Sequence, residues 1–348
     1  MKSWDAIIAG GGVIGLSLAL ELRRQGRTVL VVERGEPGRE ASHASAGMLA
    51  ARDPHTPEEL CALAIASAAM WPEFTHHLED ESGHKVDLRA EGSIVFAAGQ
   101  EGAPAGAREL TFEELERMEP HVAYRGSRVF FAEEMTVDAR ELIAALLKAC
   151  KHRGVEIAKG IAVTALEVVE GRVHGVETDR TEFRAPAVIN CCGAWAAQLE
   201  PLAFPVRPVK GQMLSVIAHD VLRHSVRDRE VYIVPRSDGR VLIGATQEEA
   251  GFDKHVVPDI IQRLHQAAAN LVPQLGQARM QEAWAGLRPG TRDDLPLLGA
   301  TSVAGYFVAT GHFRNGILLA PVTARVMSQV VAGRAPEYDL AAFSPERF

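Results

Sequence analysis

The hydrophobic residues of this chain fall into short, fully apolar runs as often as into alternating ones. Residues 5–9 (DAIIA) and 28–33 (TVLVVE) are two such runs and predict buried strands. Between them, residues 13–24 read as a helix that Gly26 can end, because glycine accepts the left-handed conformation. A second helical pattern covers 57–81, and Pro72 is expected to divide it. Residues 138–154 predict a third helix: Asp138 caps its start, Leu142, Leu146 and Ala149 share a face, and Gly154 ends it. Strands are expected near Glu156 and over 163–169, with a turn at Glu170-Gly171. An apolar strand over 187–192 stops at Gly193. Residues 206–246 alternate as an antiparallel sheet does, and 231–246 is the clearest hairpin, turning at Ser237-Asp238-Gly239. The chain closes with a helix over 258–271, a strand over 306–309 and a helix from about Gly316 to Val331. Residues 84–134 carry no long helix and read as short strands and loops.

Strand–helix–strand elements therefore stand at the beginning, middle and end of the chain, interrupted twice by antiparallel blocks. This predicts an α/β fold in which a second, sheet-based domain is inserted into a discontinuous Rossmann-like domain. The expected division is 1–83, 135–205 and 285–348 for the dinucleotide-binding domain, and 84–134 and 206–284 for the substrate-binding domain.

The first glycine cluster gives the Rossmann-like domain a chemistry. Gly10, Gly12 and Gly15 of GGGVIG satisfy G-x-G-x-x-G. Gly10 permits a tight turn out of the strand, Gly12 lets backbone approach a pyrophosphate, and Gly15 lets the helix lie close on the sheet. The helix start at Val13 and Ile14 offers unpaired N–H groups and a positive dipole end to phosphates. Glu33, eighteen residues beyond Gly15, closes the next strand, where a carboxylate accepts from ribose hydroxyls and disfavours a 2′-phosphate. Two further segments could extend this site. ASHASAGML (Ala41–Leu49) is rich in small residues; on the residues alone it reads first as a plain small-residue loop, and otherwise as backbone able to pass close to a flat ring. TGHFRNGILLAP (Thr310–Pro321) repeats the strand, glycine turn, helix order at the far end of the chain. A second helix start near Asn315-Gly316 suits the negative charge that reduced flavin carries, worth roughly 0.3–1 kcal/mol. A nicotinamide enzyme has no need of it.

Composition and charge narrow the classes. The chain has 348 residues, 47% hydrophobic and 24% charged, an ordinary globular balance long enough for two packed domains. A net charge of −8 without a basic run leaves no footprint for nucleic acid. No apolar run is long enough to span a membrane. The glycine cluster and thin basic flank of residues 6–20 argue against a leader, so a cytoplasmic protein is expected. Cys61, Cys150, Cys191 and Cys192 form no C-x-x-C pair and read as small hydrophobes in a reducing compartment. No metal site is expected.

GGGVIG with Glu33, ASHASAGML, AGLRPGT (Ala285–Thr291) and GHFRNGILLAP (Gly311–Pro321) together resemble the bacterial glycine oxidases. These are D-amino-acid-oxidase-like flavoproteins that serve thiazole formation in thiamine biosynthesis. The resemblance covers essentially the whole chain, and its last two motifs are the specific ones. It implies a glutathione-reductase-type FAD domain and FAD bound by Gly10, Gly12, Val13, Ile14, Gly15, Glu33, Arg34, Ala41, Ser42, Ala46, Gly47 and Met48. It adds Val163, Gly193, His312, Phe313, Arg314, Asn315, Gly316, Ile317 and Leu318 to the same cofactor site.

For the substrate, the residues alone leave Arg288 either a structural salt-bridge partner or a bidentate carboxylate anchor. Tyr232 is either sheet packing or a second donor. The resemblance implies the substrate roles for both. It places Arg314 near substrate and flavin, and Met48 on the pocket wall. His312 is either a ligand or a hydrogen-bonding residue without proton-transfer duty. Glu230 and Gln247 depart from a relative that has histidine and methionine there.

The implied reaction is oxidation of glycine and small amines (sarcosine, small D-amino acids) to the imine or 2-oxo acid with hydrogen peroxide. The imine would feed thiazole synthesis. A flavin dehydrogenase for D-amino or 2-hydroxy acids with a non-oxygen acceptor is the alternative, and a non-catalytic FAD-binding protein a third reading. No cysteine follows Cys192, and His43 is one residue out of step with a flavin-linking histidine, so non-covalent FAD is expected. The family suggests a homo-oligomer.

Overall fold

The computed structural model describes residues 2–97, 103–124 and 126–348. Residues 98–102 and 125, within the stretch read as short strands and loops, lie outside the described residues.

Six strands form the first sheet, in the order Leu297–Ala300, Tyr306–Thr310, Val188–Asn190, Ala6–Ala9, Val29–Glu33, Glu156–Lys159. All neighbours are parallel except the edge pair Leu297–Ala300 with Tyr306–Thr310. Alternate residues of one strand serve two cores. Ala6 and Ile8 pack with Leu16, Leu146, Val322 and Trp71 of the covering helices. Ile7 and Ala9 pack with Leu166, Val173 and Val176 of a small antiparallel sheet on the other face. Burial on both sides is why these strands read as unbroken apolar runs.

The second sheet has eight strands, in the order Arg279–Gly290, Arg207–Ile217, Arg240–Gly244, Tyr232–Pro235, Ser225–Arg227, Ser93–Ala97, Arg128–Ala132, Arg108–Glu109. The helix Pro258–Leu271 packs on it through Ile261, Leu264 and Ala268. The strand Arg279–Gly290 continues across residue 285, so residues 285–290 stay in the large sheet. A third small sheet joins Met48–Leu49, Met135–Val137 and Leu88–Arg89.

Two expectations about elements change, and one short element is added. Glu58–Ser82 is one helix, undivided by Pro72. Its buried face (Leu60, Leu63, Ala64, Ser67, Trp71, Thr75, Leu78) holds it against the core and offsets the roughly 3 kcal/mol cost of an interior proline. The last α-helix begins at Ala320, not Gly316, after a 3₁₀ turn at Phe313–Asn315. Pro321 lies in its first turn, where a missing N–H costs nothing. Inside 84–134 a short helix, Phe112–Met118, forms on a reciprocal cap. Thr111 Oγ1 accepts from Glu114 N–H at 3.2 Å, and the Glu114 carboxylate accepts from Thr111 N–H at 2.9 Å.

Asp138 ties the two halves of the molecule together. It caps the helix Ala139–His152 by accepting from Arg140 and Glu141 N–H at 2.8 and 3.1 Å. It also pairs with Arg240 at 2.6 Å and faces the buried Arg236 at 3.9 Å. Burial works against its charge, but Arg236 and Arg240 hold the carboxyl below its ordinary value. Burial lowers the Arg236 guanidinium to about 10. Asp138→Ala removes the stronger of the two carboxylates that act on that buried cation, leaving Asp87, so urea unfolding should show a loss of about 3 kcal/mol. Asp138→Asn keeps a cap acceptor and should lose less. A loss below about 1 kcal/mol for the alanine variant would show that Asp138 is not the tie described.

Candidate active site

Both glycine turns open into one cavity of about 1010 Å³. Gly10, Gly12, Val13 and Ile14 line one part of it, and His312 through Ile317 line another. The turns are stitched to the 191–193 segment by one backbone and one side-chain hydrogen bond. Cys191 N–H donates to the Ala9 carbonyl at 2.8 Å, and Thr310 Oγ1 donates to the Gly193 carbonyl at 3.1 Å. A Cβ on Gly10, whose φ is +106°, would stand 2.4 Å from the Cys191 carbonyl oxygen.

The dinucleotide end is built as a backbone cradle. A Cβ on Gly15 would meet the Gly10 carbonyl oxygen at 2.0 Å, so only glycine lets the helix rest on the turn. Glu33 accepts from Gly11 N–H at 2.8 Å and from Gly35 N–H at 2.9 Å, which fixes its carboxylate beside the cavity. Ser42 Oγ accepts from Val13 N–H at 3.0 Å at the helix start. Arg34 lies with its guanidinium 3.6 Å from the Trp195 ring centre.

The ASHASAGML segment is placed by small residues on both sides. A Cβ on Gly286 would stand 2.4 Å from the Ala44 Cβ, and Trp284 Nε1 donates to the Ala44 carbonyl at 3.2 Å. At Gly47 (φ +66°) a Cβ would stand 1.8 Å from the Val137 carbonyl. Ala41, Ser42, Ala46, Gly47 and Met48 all reach the cavity wall.

At the other end, Tyr232, Arg288 and Arg314 converge. Arg288 reaches across the neighbouring strand at Gly211, where a Cβ would stand 2.3 Å from its Nη1. That Nη1 donates to the Thr246 carbonyl at 3.0 Å. Tyr232 lies over Gly244, its cross-strand partner, where a Cβ would stand 2.8 Å from the ring. Burial raises the Tyr232 phenol, and Arg288 and then Arg314 act on it in the opposite sense. Arg314 is exposed and donates to the His55 carbonyl at 3.4 Å. Met48, Glu230 and Gln247 share this wall.

Val163, Gly193, Phe313, Asn315 and Gly316 also line the cavity. Gly15 and Leu318 do not. Gly15 sits beneath the turn, and the buried Leu318 has its carbonyl held by Ser67 Oγ at 2.6 Å and Trp71 Nε1 at 3.0 Å. Sequence reasoning passed over Asp53, Trp195 and Arg227, which do line it. Arg227 is buried, hydrogen-bonded to Glu134 and 3.6 Å from Asp53. Nothing local marks Asp53 or Arg227; Trp195, two residues after Gly193, carries the one signal open to notice.

The cavity's size and its glycine turn, closed against backbone at Gly10 and Gly15, fit a dinucleotide carrying a flat ring. The fold and site define an FAD-dependent oxidoreductase. The model of the family described as FAD dependent oxidoreductase (DAO) matches residues 5–330, and the chain belongs to that family. It is 38% identical to the bifunctional protein ThiO/ThiG of Trichormus variabilis across 99% of this chain, and spans 55% of that protein's length. It is 36% identical to the glycine oxidase of Geobacillus kaustophilus, covering 99% of this chain and 97% of that one. The crystal structure of glycine oxidase from Geobacillus kaustophilus superposes with a TM-score of 0.94 at 34% identity, covering all of both chains. The match includes the FAD-binding and substrate parts of the fold. Among the described residues, no helix is long and apolar enough to cross a membrane.

His312 is neutral here. Burial moves its imidazole down from the ordinary 6.5 to about 3, and its Nε2 lies 3.1 Å from Thr323 Oγ1. The unfolded chain takes up a proton below pH 6.5, and the folded one does not until about pH 3. Stability is therefore lost as pH falls through that window, by up to about 1.4 kcal/mol per pH unit. His312→Gln, which keeps a hydrogen-bonding group, should unfold in urea with a shallower dependence on pH between 6.5 and 4. Identical slopes for the two proteins would contradict the buried neutral imidazole.

Proposed function

We propose that this chain oxidises glycine and other small amines such as sarcosine and small D-amino acids. The imine product would hydrolyse to the 2-oxo acid or be consumed by thiazole formation. The observation that carries this reading is the convergence of Arg288, Tyr232 and Arg314 on a cavity whose other wall is the 312–317 turn. The likeness to ThiO/ThiG and to glycine oxidase supports the substrate and the thiazole-forming partner. The division into an FAD domain and an inserted substrate domain belongs to the same reading.

FAD supplies the two-electron acceptor, with dioxygen reoxidising it to give peroxide. Arg288 holds the substrate carboxylate through its planar fork, and Tyr232 donates a second hydrogen bond. Gly211 and Gly244 leave the room that both side chains occupy. Arg314 completes the positive side of the pocket, and Met48 packs against the substrate's carbon. His312 takes no proton, because burial keeps it neutral and Thr323 is its partner. The protein's contribution is orientation of a neutral amine rather than a dedicated base.

Arg288→Ala should lower kcat/KM for glycine by on the order of 30- to 1000-fold, mostly through KM, with the bound-flavin spectrum unchanged. Arg288→Lys should recover little of it, since an ammonium cannot reproduce the fork. Gly211→Ala should act in the same direction by displacing the guanidinium. Unchanged glycine affinity in Arg288→Ala would end the anchor assignment. Stoichiometric peroxide identifies the acceptor as oxygen, and flavin bleaching without peroxide would place the acceptor elsewhere.

A further inference from the structure

Residues 247–257 leave the large sheet after Arg240–Gly244 and cross toward the dinucleotide end of the cavity. Their base is fixed to buried groups. Lys210, only 2% exposed, pairs with Asp253 at 3.0 Å, and Lys210 and Glu248 exchange two backbone hydrogen bonds at 2.9 Å each. The buried Gln212 accepts from Val257 N–H at 2.7 Å and donates to Glu248 at 2.9 Å. The side chains on either side of Asp253 are held differently. Phe252, 44% exposed, stacks on Trp195 with ring centres 5.3 Å apart and planes 28° apart. Lys254 pairs with Glu40 at 3.0 Å in solvent. Trp195, Glu40 and Arg34, which packs on Trp195, all line the cavity beside Glu33.

We propose that this strap is a clasp of the cofactor site, its tip controlling how fast FAD leaves and Phe252 serving as its retention residue. The proposal rests on FAD occupying the cavity. Asp253 is tied to the buried Lys210, so the backbone between Phe252 and Lys254 stays anchored. What can move are the two flanking side chains, held by one half-exposed ring stack and one exposed ion pair, contacts that break at small cost. Turning them outward withdraws Phe252 from Trp195 and Lys254 from Glu40, both cavity-wall residues. The inserted domain thereby holds a cofactor bound mainly by the other domain.

The test follows FAD release from the holoenzyme after dilution, read by the rise in free-flavin fluorescence. Phe252→Ala should release FAD about three- to tenfold faster, the range expected from losing a ring pair. Phe252→Trp should restore the native rate. Lys254→Ala should speed release about twofold or less at low salt, and added salt should erase its difference from the native protein. Phe112→Ala removes another exposed ring, one that packs on Tyr124, and should match the native rate. Native release from Phe252→Ala overturns the clasp, as does equal acceleration by Phe112→Ala. The assay contains no amine substrate, so failure of the glycine reading leaves its outcome untouched.

Discussion

The parallel pairing of Ala6–Ala9, Val188–Asn190 and Tyr306–Thr310 is the constraint on which the site depends. Parallel neighbours end on the same edge of a sheet, so three turns distant in sequence are delivered to one place. Gly10, Gly193 and Gly311 each stand at or just beyond these ends. The hydrogen bond between Cys191 and Ala9 and that between Thr310 and Gly193 then fix the turns against each other. The absence of side chains at the contacts matters as much as the bonds. At Gly10 and Gly15 a single added carbon would overlap a carbonyl oxygen.

The end of the cavity lined by Arg288 and Tyr232 is built by the same device in another sheet. Arg288 and Tyr232 lie across strands that carry glycine where each side chain passes. Two long polar side chains thus share a wall without prising the strands apart. The charges behind them are paired in depth: Arg227 with Glu134, and Arg236 with Asp138. Asp138 and Glu134 flank the short Met135–Val137 strand, which pairs with Met48–Leu49. Electrostatics that stabilise the inserted sheet therefore also hold the segment that reaches the cavity.

Much of this was legible from local pattern. GGGVIG between two apolar strands specifies a turn, a helix start and a partner carboxylate within about 25 residues, because each requirement is met by neighbours in the chain. Glu33 has a structural role that pattern could not show: its carboxylate accepts from Gly11 and Gly35 N–H. The helix Ala139–His152 was readable for the same local reason, its cap and apolar face lying within one segment. Pro72 misleads as a local signal, since the helix around it persists through contacts with residues some 250 positions away, such as Leu318. The last helix start was placed four residues early, because a 3₁₀ turn at Phe313–Asn315 runs on into Ala320–Val331 through bonds such as Leu319 N–H to the Asn315 carbonyl at 2.9 Å.

The sequence by itself determined the dinucleotide cradle, the order of strands and helices, and the residue types able to meet a carboxylate and a flavin. Those features depend on backbone freedom and periodicity, which neighbouring residues decide. The tertiary structure alone decided that Trp195, Asp53 and Arg227 share the cavity, that Gly211 makes room for Arg288, and that the strap reaches Trp195 and Glu40. Each of these is a contact between segments with no common pattern. Its physical cause is the way sheet edges and buried charges bring distant parts of the chain within a few ångströms.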